Sequence, residues 1–148
     1  MLAAAGLRRM GWADRITALL SPETCVPAVG QGALAVECRA DDAPLLELLR
    51  LFQHEPTALA VRAERAFLGS LNGGCQVPIG AYAALAPEQA GPGQGAPLLT
   101  MTGFVGSPDG KELLKETCSG TDPEQLGREV AAKLVARGAG RILEAVKP

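Results

Sequence analysis

The hydrophobic pattern changes character near residue 55. From Glu55 to Leu71, apolar residues recur at helical spacing on one face, and two glycines follow. Ile79 to Leu85 predicts a strand. LLTMTGFVG and KELLKETCSG predict two more, joined by the hairpin signal Ser107-Pro-Asp-Gly110. A long helix is expected after Thr121-Asp-Pro-Glu124, which resembles a capping box with a proline near the first helical position. Gly138 should interrupt it, and Arg141 to Lys147 predict a last short helix. This order predicts an α+β domain with a small three-stranded antiparallel sheet.

Residues 1–54 follow a different pattern, which predicts part of another domain. LAAAGLRRM at 2–10 is typical of a short helix closed by Gly11. Ala33 to Arg39 predict a buried strand entered through a glycine-bracketed turn. Asp41, Asp42 and Pro44 then start a helix through LLELLRLF that is apolar nearly all round, so it should pack on more than one side.

Composition and charge narrow the range of partners. Hydrophobic residues make up 47% of the chain and aromatic residues 3%, so the core must be built from aliphatic side chains. A net charge of -2 without a basic stripe argues against nucleic acid. No apolar run could span a bilayer, and the first residues lack the order of a signal peptide, so we expect no membrane partner and a cytoplasmic location. Four cysteines form no CxxC pair and His54 is the single histidine, so a metal site is poorly supported.

The sequence NGGCQVPIGA at 72–81 places one cysteine behind two glycines and ahead of a proline. Gly73 and Gly74 permit backbone angles closed to other residues, so this loop could hold the thiol of Cys75 toward a bulky ligand. A small buried hydrophobe at a helix end would look the same. The local pattern leaves both interpretations open.

Two further features allow a functional or a purely structural interpretation. Gly30-Gln31-Gly32 fits a loose dinucleotide pattern, but no strand precedes it and no helix follows. We interpret it as a tight turn that either brings Gln31 and backbone amides to a polar ligand or is a plain turn. Arg8 and Arg9 lie in the first helix. They are either solvated charges or bind a carboxylate through bidentate hydrogen bonds.

The carboxylates suggest no catalytic pair. Asp41 and Asp42 are explained by helix capping. Glu64, between Arg62 and Arg65, is explained by a charged helix face.

Four segments together resemble hydroxymethylbilane synthase, also called porphobilinogen deaminase, a transferase of tetrapyrrole biosynthesis. They occur in the family's order and spacing, and the last is the most specific. The segments are LAAAGLRRMG at 2–11, PAVGQGALAVECR at 27–39, TALAVRAERAFL at 57–68 and NGGCQVPIGAYAAL at 72–85. Residues 86–148 match only in general pattern.

The resemblance implies a role for each site residue. Cys75 matches the cysteine that carries a dipyrromethane cofactor through a thioether, to which porphobilinogen units are added with release of ammonia. Gly73 and Gly74 would support that attachment. Arg9 matches an arginine that binds the acidic side chains of the oligopyrrole, and Gln31 a glutamine that contacts the pyrroles.

The resemblance also implies that much of the family's enzyme lies outside this chain. Residues 1–54 correspond to the end of an α/β domain 2 and residues 55–148 to the cofactor-anchoring domain 3. The first domain, with its catalytic aspartate, has no counterpart here, and Ala35 replaces a common glycine. The missing N-terminal part becomes an expected partner, and the chain alone is expected to be inactive.

Without the strands of that missing part, we expect Val29, Leu34 and Val36 to be uncovered and residues 1–40 to self-associate or to be disordered.

Two alternatives belong to other classes. A noncatalytic module that binds an acidic ligand or partner would leave Cys75 unmodified. A cysteine-dependent hydrolase using His54 would be indifferent to porphobilinogen, and one histidine without an orienting group is thin support for it.

Overall fold

The computed structural model of the chain describes residues 1–71, 78–86 and 97–145. Within these ranges a 3-10 turn at Ala13–Arg15 accompanies five helices and three strands. The helices are α1 (Ala4–Arg9), α2 (Ala43–Arg50), α3 (Glu55–Ser70), α4 (Pro123–Ala136) and α5 (Ala139–Glu144). The strands are β1 (Ile79–Leu85), β2 (Leu99–Gly106) and β3 (Leu113–Gly120).

The strands form one antiparallel sheet in the order β1-β2-β3. The β2–β3 hairpin turns at the predicted Ser107-Pro-Asp-Gly110. The Ser107 N–H donates to the Glu112 carbonyl at 2.8 Å, and the Gly110 N–H donates to the Ser107 carbonyl at 2.9 Å. Gly110 has φ +72°, which suits a glycine. The predicted α+β class and three-stranded sheet are confirmed.

One face of the sheet carries the core. Helices α3 and α4 pack on this face, and the largest fully buried side chains are Phe67, Leu99, Met101, Leu126, Leu134, Val105 and Val130. The other face is polar, where the hydroxyls of Thr102 and Thr117 bond at 2.8 Å and those of Thr100 and Ser119 at 2.9 Å. Side chains alternate along each strand, so one face is dry and the other wet.

Helices α3 and α4 approach closely at a glycine. A Cβ at Gly127 would collide with the Ala63 carbonyl oxygen of α3 and would lie 2.8 Å from the Phe67 nitrogen. Asp122 caps α4 by accepting the Gln125 N–H at 2.7 Å, and Pro123 occupies the first turn, as the capping pattern predicted. The cap and the glycine together fix the start of α4 against α3.

The predicted buried strand at Ala33 to Arg39 is wrong. Residues 33–39 are extended without a strand partner in the described residues, and Leu34 and Val36 are 100% and 72% exposed. A strand needs a neighbour for its backbone groups, and no described strand lies beside this segment. The expected lack of cover is confirmed for Leu34 and Val36. It is wrong for Val29, which packs partly buried against the core.

Helix α2 forms as expected but packs differently from the prediction. The Asp42 carboxylate accepts the Leu45 N–H at 3.3 Å and caps the helix. No residue of α2 is buried, and Leu48 is 53% exposed. Packing on more than one side is therefore wrong, because the described residues provide no second layer for its apolar surface.

Candidate functional site

Cys75, Gly73 and Gly74 lie outside the described residues, so the predicted attachment loop stays a prediction. The described residues on either side of it are both anchored to the core. Leu71, at the end of α3, is 5% exposed, and its N–H donates to the Phe67 and Leu68 carbonyls at 3.3 and 3.2 Å. The carbonyl of Pro78 accepts the Gly106 N–H at 2.8 Å.

The predicted tight turn around Gln31 is confirmed. Two glycines with positive φ, Gly30 at +70° and Gly32 at +85°, allow the backbone to reverse twice in succession. The Gln31 N–H donates to the Ala28 carbonyl at 3.0 Å, and the Ala33 N–H donates to the Gly30 carbonyl at 3.1 Å. The Gln31 side chain is exposed and has no hydrogen-bond partner in the described part of the chain.

This turn docks on the free edge of β1. The Ala81 N–H donates to the Pro27 carbonyl at 3.0 Å. A Cβ at Gly80 would lie 2.5 Å from that carbonyl oxygen and would overlap the Phe104 ring, so only glycine permits this approach. The backbone ahead of Gln31 therefore runs against the strand that begins four positions after Cys75.

Glu64 of α3 completes the docking, and the sequence interpretation of this residue is wrong. It does not lie on a charged helix face: it is 6% exposed and is the one buried charged residue in the described ranges. Its Oε2 accepts the Gly30 N–H at 2.7 Å and its Oε1 accepts the Ala83 N–H of β1 at 2.9 Å. One carboxylate thus joins the glycine turn, the strand and the helix.

Burial raises the pKa of the Glu64 carboxyl above its usual value, while the bonds from Gly30 and Ala83 act in the opposite direction. A signal for this burial existed in the sequence. Ala60, Glu64, Phe67 and Leu71 have the spacing i, i+4, i+7, i+11, which places Glu64 on the apolar stripe of α3.

A cavity of about 360 Å³ opens beside this carboxylate. Gln31, Thr57, Glu64 and Tyr82 supply its polar side chains, and alanines, prolines and Leu85 line much of the remainder. Arg9 is not among the lining residues. It is exposed at the end of α1 and has no ion pair in the described part of the chain. The structure thus brings Gln31 to α3 and β1 and gives Arg9 no such attachment.

The remaining candidate groups form no second site. His54 precedes α3, and its Nδ1 lies 2.8 Å from the Thr57 hydroxyl. Cys118 is buried and accepts a bond from Lys133 Nζ at 3.1 Å. Across the described ranges, no three His, Cys, Asp or Glu side chains group as metal ligands, and no helix is long and apolar enough to cross a membrane.

Two family models match the chain. Residues 58–136 match "Porphobilinogen deaminase, C-terminal domain", and residues 1–47 match "Porphobilinogen deaminase, dipyromethane cofactor binding domain". The docking described above therefore joins one matched region to the other, since Pro27 and Gly30 lie in residues 1–47 and Glu64, Ala81 and Ala83 in residues 58–136.

Curated relatives match nearly the full length of the chain. It is 53% identical to the porphobilinogen deaminase of Brevibacillus brevis over 146 residues and 51% identical to that of Bacillus subtilis over 148 residues. A relative from Shouchella clausii is 52% identical over 148 residues. Each alignment covers 99% of this chain and 45% of the relative, so the chain spans under half the length of these proteins.

Proposed function

The chain belongs to the porphobilinogen deaminase family, and we propose that it forms the cofactor-anchoring part of an enzyme that polymerises porphobilinogen into hydroxymethylbilane and releases ammonia. In this proposal residues 55–148 are the anchoring domain and residues 1–54 the end of the preceding domain. The observation that carries it is the pair of family matches at residues 1–47 and 58–136, joined by the docked Gln31 turn.

The described residues fit an acidic oligopyrrole cofactor. The Arg9 guanidinium and the Gln31 amide are exposed, and no described side chain engages either of them. A guanidinium can grip a carboxylate through two parallel bonds, and an amide can both donate and accept. When bound, a dipyrromethane group would supply the primer to which porphobilinogen units are added.

We assign Cys75 as the attachment point and Gly73 and Gly74 as its support. A thioether does not hydrolyse under cellular conditions, so the sulfur would hold its cargo throughout repeated additions. Arg9 would neutralise carboxylates and Gln31 would orient pyrrole rings. The proposal includes a cytoplasmic location, where a reducing environment keeps the thiol of Cys75 available.

The catalytic aspartate of the family would be supplied by the part of the enzyme that lies outside these 148 residues. The chain alone should therefore consume no porphobilinogen. Adding, in trans, the N-terminal portion of a relative such as the Bacillus subtilis enzyme should restore consumption. Turnover by the 148-residue chain without that addition would contradict this part of the proposal.

Attachment is tested by intact-protein mass and peptide mapping after incubation with porphobilinogen and the N-terminal portion. We expect an added mass of two linked pyrroles on the peptide that contains Cys75. Cys75→Ser should abolish the addition, and the matched control Cys38→Ser, at a half-buried free cysteine, should retain it. Modification of Cys75→Ser protein would overturn the assignment.

A noncatalytic module that binds an acidic ligand is the second candidate. It is favoured by Arg9, which is exposed and has no ion pair among the described residues. It predicts an unmodified Cys75 together with reversible binding of an oligocarboxylate that Arg9→Ala weakens. The mass measurement separates the two candidates.

A further inference from the structure

Glu64 is a buried carboxylate for which the proposed chemistry has no use. Burying a charge is costly unless the charge is hydrogen-bonded, so its position calls for a compensating set of donors. The structure provides two backbone N–H groups, one from each side. Gly30 lies 34 positions before Glu64 and Ala83 lies 19 positions after it.

Glu64 also covers part of the β1 edge. In an antiparallel sheet, alternate residues of an edge strand direct their N–H groups away from the neighbouring strand. Ala81 and Ala83 are such a pair on β1. The Ala81 N–H is satisfied by the Pro27 carbonyl at 3.0 Å and the Ala83 N–H by Glu64 Oε1 at 2.9 Å.

These bonds fix the turn from two directions. Pro27 is held to β1 through its carbonyl, and Gly30, three residues later, is held to α3 through Glu64. Gln31 comes next. Val29, between the two attachment points, packs against the core. The backbone that leads into Gln31 is therefore tied to the same body that bears Leu71 and Pro78, the described residues flanking the Cys75 segment.

We propose that Glu64 is a positioning residue: its carboxylate clamps the Gly30–Gly32 turn against α3 and β1 and thereby holds Gln31 in the cavity that Thr57 and Tyr82 also line. This inference rests on the proposed role of Gln31, but the clamp can be tested without enzymatic activity.

The geometry requires a hydrogen-bond acceptor at each of the two side-chain oxygens. Two N–H donors approach two different oxygens of one side chain, and a carboxylate can accept at both. A glutamine has one oxygen and one NH2 group, so one of the two backbone N–H groups would face a donor. Glu64→Gln therefore keeps the shape of the side chain and removes one of its two hydrogen bonds to the backbone.

The first test is amide hydrogen exchange of the 148-residue chain, with NMR recording the exchange rate of each amide. In Glu64→Gln protein we expect the Gly30 or Ala83 amide to exchange at least about tenfold faster, the factor for losing a hydrogen bond to a charged acceptor. The matched control is Glu55→Gln, because Glu55 is an exposed glutamate of the same helix that contacts Gln53. Unchanged exchange at both amides would overturn the clamp.

The second test measures position. A nitroxide is placed on the cysteine of a Thr57→Cys variant that also carries Cys25→Ser, Cys38→Ser and Cys75→Ser. Its broadening of the Gln31 side-chain NH2 signals is recorded, because Thr57 and Gln31 line the same cavity. We expect strong broadening with Glu64 and at least about threefold weaker broadening in Glu64→Gln protein, since loss of a charged bond frees the turn. If Glu64 only supported the fold, Glu64→Gln would destabilise the whole protein and would not weaken this broadening alone. The core amides of Met101 and Val105 are therefore monitored as well.

The outcomes distinguish the positioning role of Glu64 from the proposed function. Equal broadening with and without Glu64, or none in either protein, overturns the positioning role. Neither result bears on whether Cys75 accepts an oligopyrrole, which the mass measurement decides. Conversely, an unmodified Cys75 with the expected NMR changes would leave the clamp standing and remove the proposed function.

Discussion

Phe52 and Phe67 lie fifteen positions apart and have opposite environments. Phe67 is fully buried between α3 and the sheet, where a Cβ at Gly103 would lie 2.8 Å from its ring. Phe52 follows α2 and is 80% exposed. Both are phenylalanines close to the end of an apolar helix, so hydrophobicity alone does not explain the difference. Burial requires a second layer, which the described residues from 55 onward build for themselves and residues 1–54 largely lack.

Hydrogen exchange should show the largest contrast between the two regions. The structure provides no backbone partner within the described residues for the N–H groups of residues 34–39, so these amides should exchange near the unprotected rate. Amides of β2 should require global unfolding, typically about 5 to 15 kcal/mol for a domain. Uniform strong protection of residues 34–39 in a monomer would contradict the comparison.

Phe67→Ala should remove much of the stability of the packed region. Truncating a buried phenylalanine typically costs about 3 to 5 kcal/mol through lost burial and the cavity left behind. Phe52→Ala is the matched control and should change the free energy of unfolding by less than about 0.5 kcal/mol. Urea unfolding of both variants measures the difference, and equal effects would show that Phe52 is buried in solution.

Gly127→Ala and Gly69→Ala compare two helical glycines of the packed region. At Gly127 a methyl group would collide with the backbone of α3, at a cost of about 1 to 3 kcal/mol for overpacking. At Gly69 the added methyl meets nothing within 4 Å, so the variant should gain about 0.5 to 1 kcal/mol from helix propensity. Thermal unfolding should therefore shift in opposite directions, and a shift of the same sign would refute the close helix crossing.

The pH dependence should report on Glu64, which joins the two regions. Its pKa is raised in the folded chain by burial, so its contribution to stability is present below the unfolded pKa and is lost as pH rises through the folded pKa. Relative to Glu64→Gln protein, the wild type should lose stability between about pH 4 and the folded pKa. Tyr82, the other titratable side chain of the cavity lining, is common to both proteins. A pH-independent difference in urea unfolding would contradict the raised pKa.

Polar replacement of the uncovered residues should have the smallest effect on stability. Leu34→Gln with Val36→Thr should change the free energy of unfolding by less than about 0.5 kcal/mol, because these side chains are exposed. The same pair should reduce any concentration-dependent self-association seen by sedimentation, since exposed apolar patches promote contact between chains. A large loss of stability would mean that the segment packs in solution.

The elements that sequence alone predicts well are those whose signals are local. The spacing of Ala63, Phe67 and Leu71 defines α3, and Ser107-Pro-Asp-Gly110 defines the hairpin. The glycines around Gln31 likewise predict its turn. What the pattern could not supply is the identity of the neighbour. Residues 33–39 have the composition of a strand, yet a strand exists only beside another, and the described residues offer none.

Glu64 illustrates the same difficulty in the opposite direction. Its arginine neighbours in sequence suggested a solvated face, but its partners Gly30 and Ala83 come from distant segments. The position of Glu64 on the apolar stripe of α3 indicated burial. Spacing along the sequence could not show that two backbone N–H groups would bond to its carboxylate. The place of Arg9 and Cys75 relative to Gln31 is likewise a matter of tertiary arrangement, which spacing along the sequence does not give.

Leu71 and Pro78 are both attached to the same sheet and helix pair. Under the proposed function, a cofactor on Cys75 would therefore sit in a segment whose two flanking residues belong to one packed body, so neither flanking residue could move away from the sheet without disrupting the core.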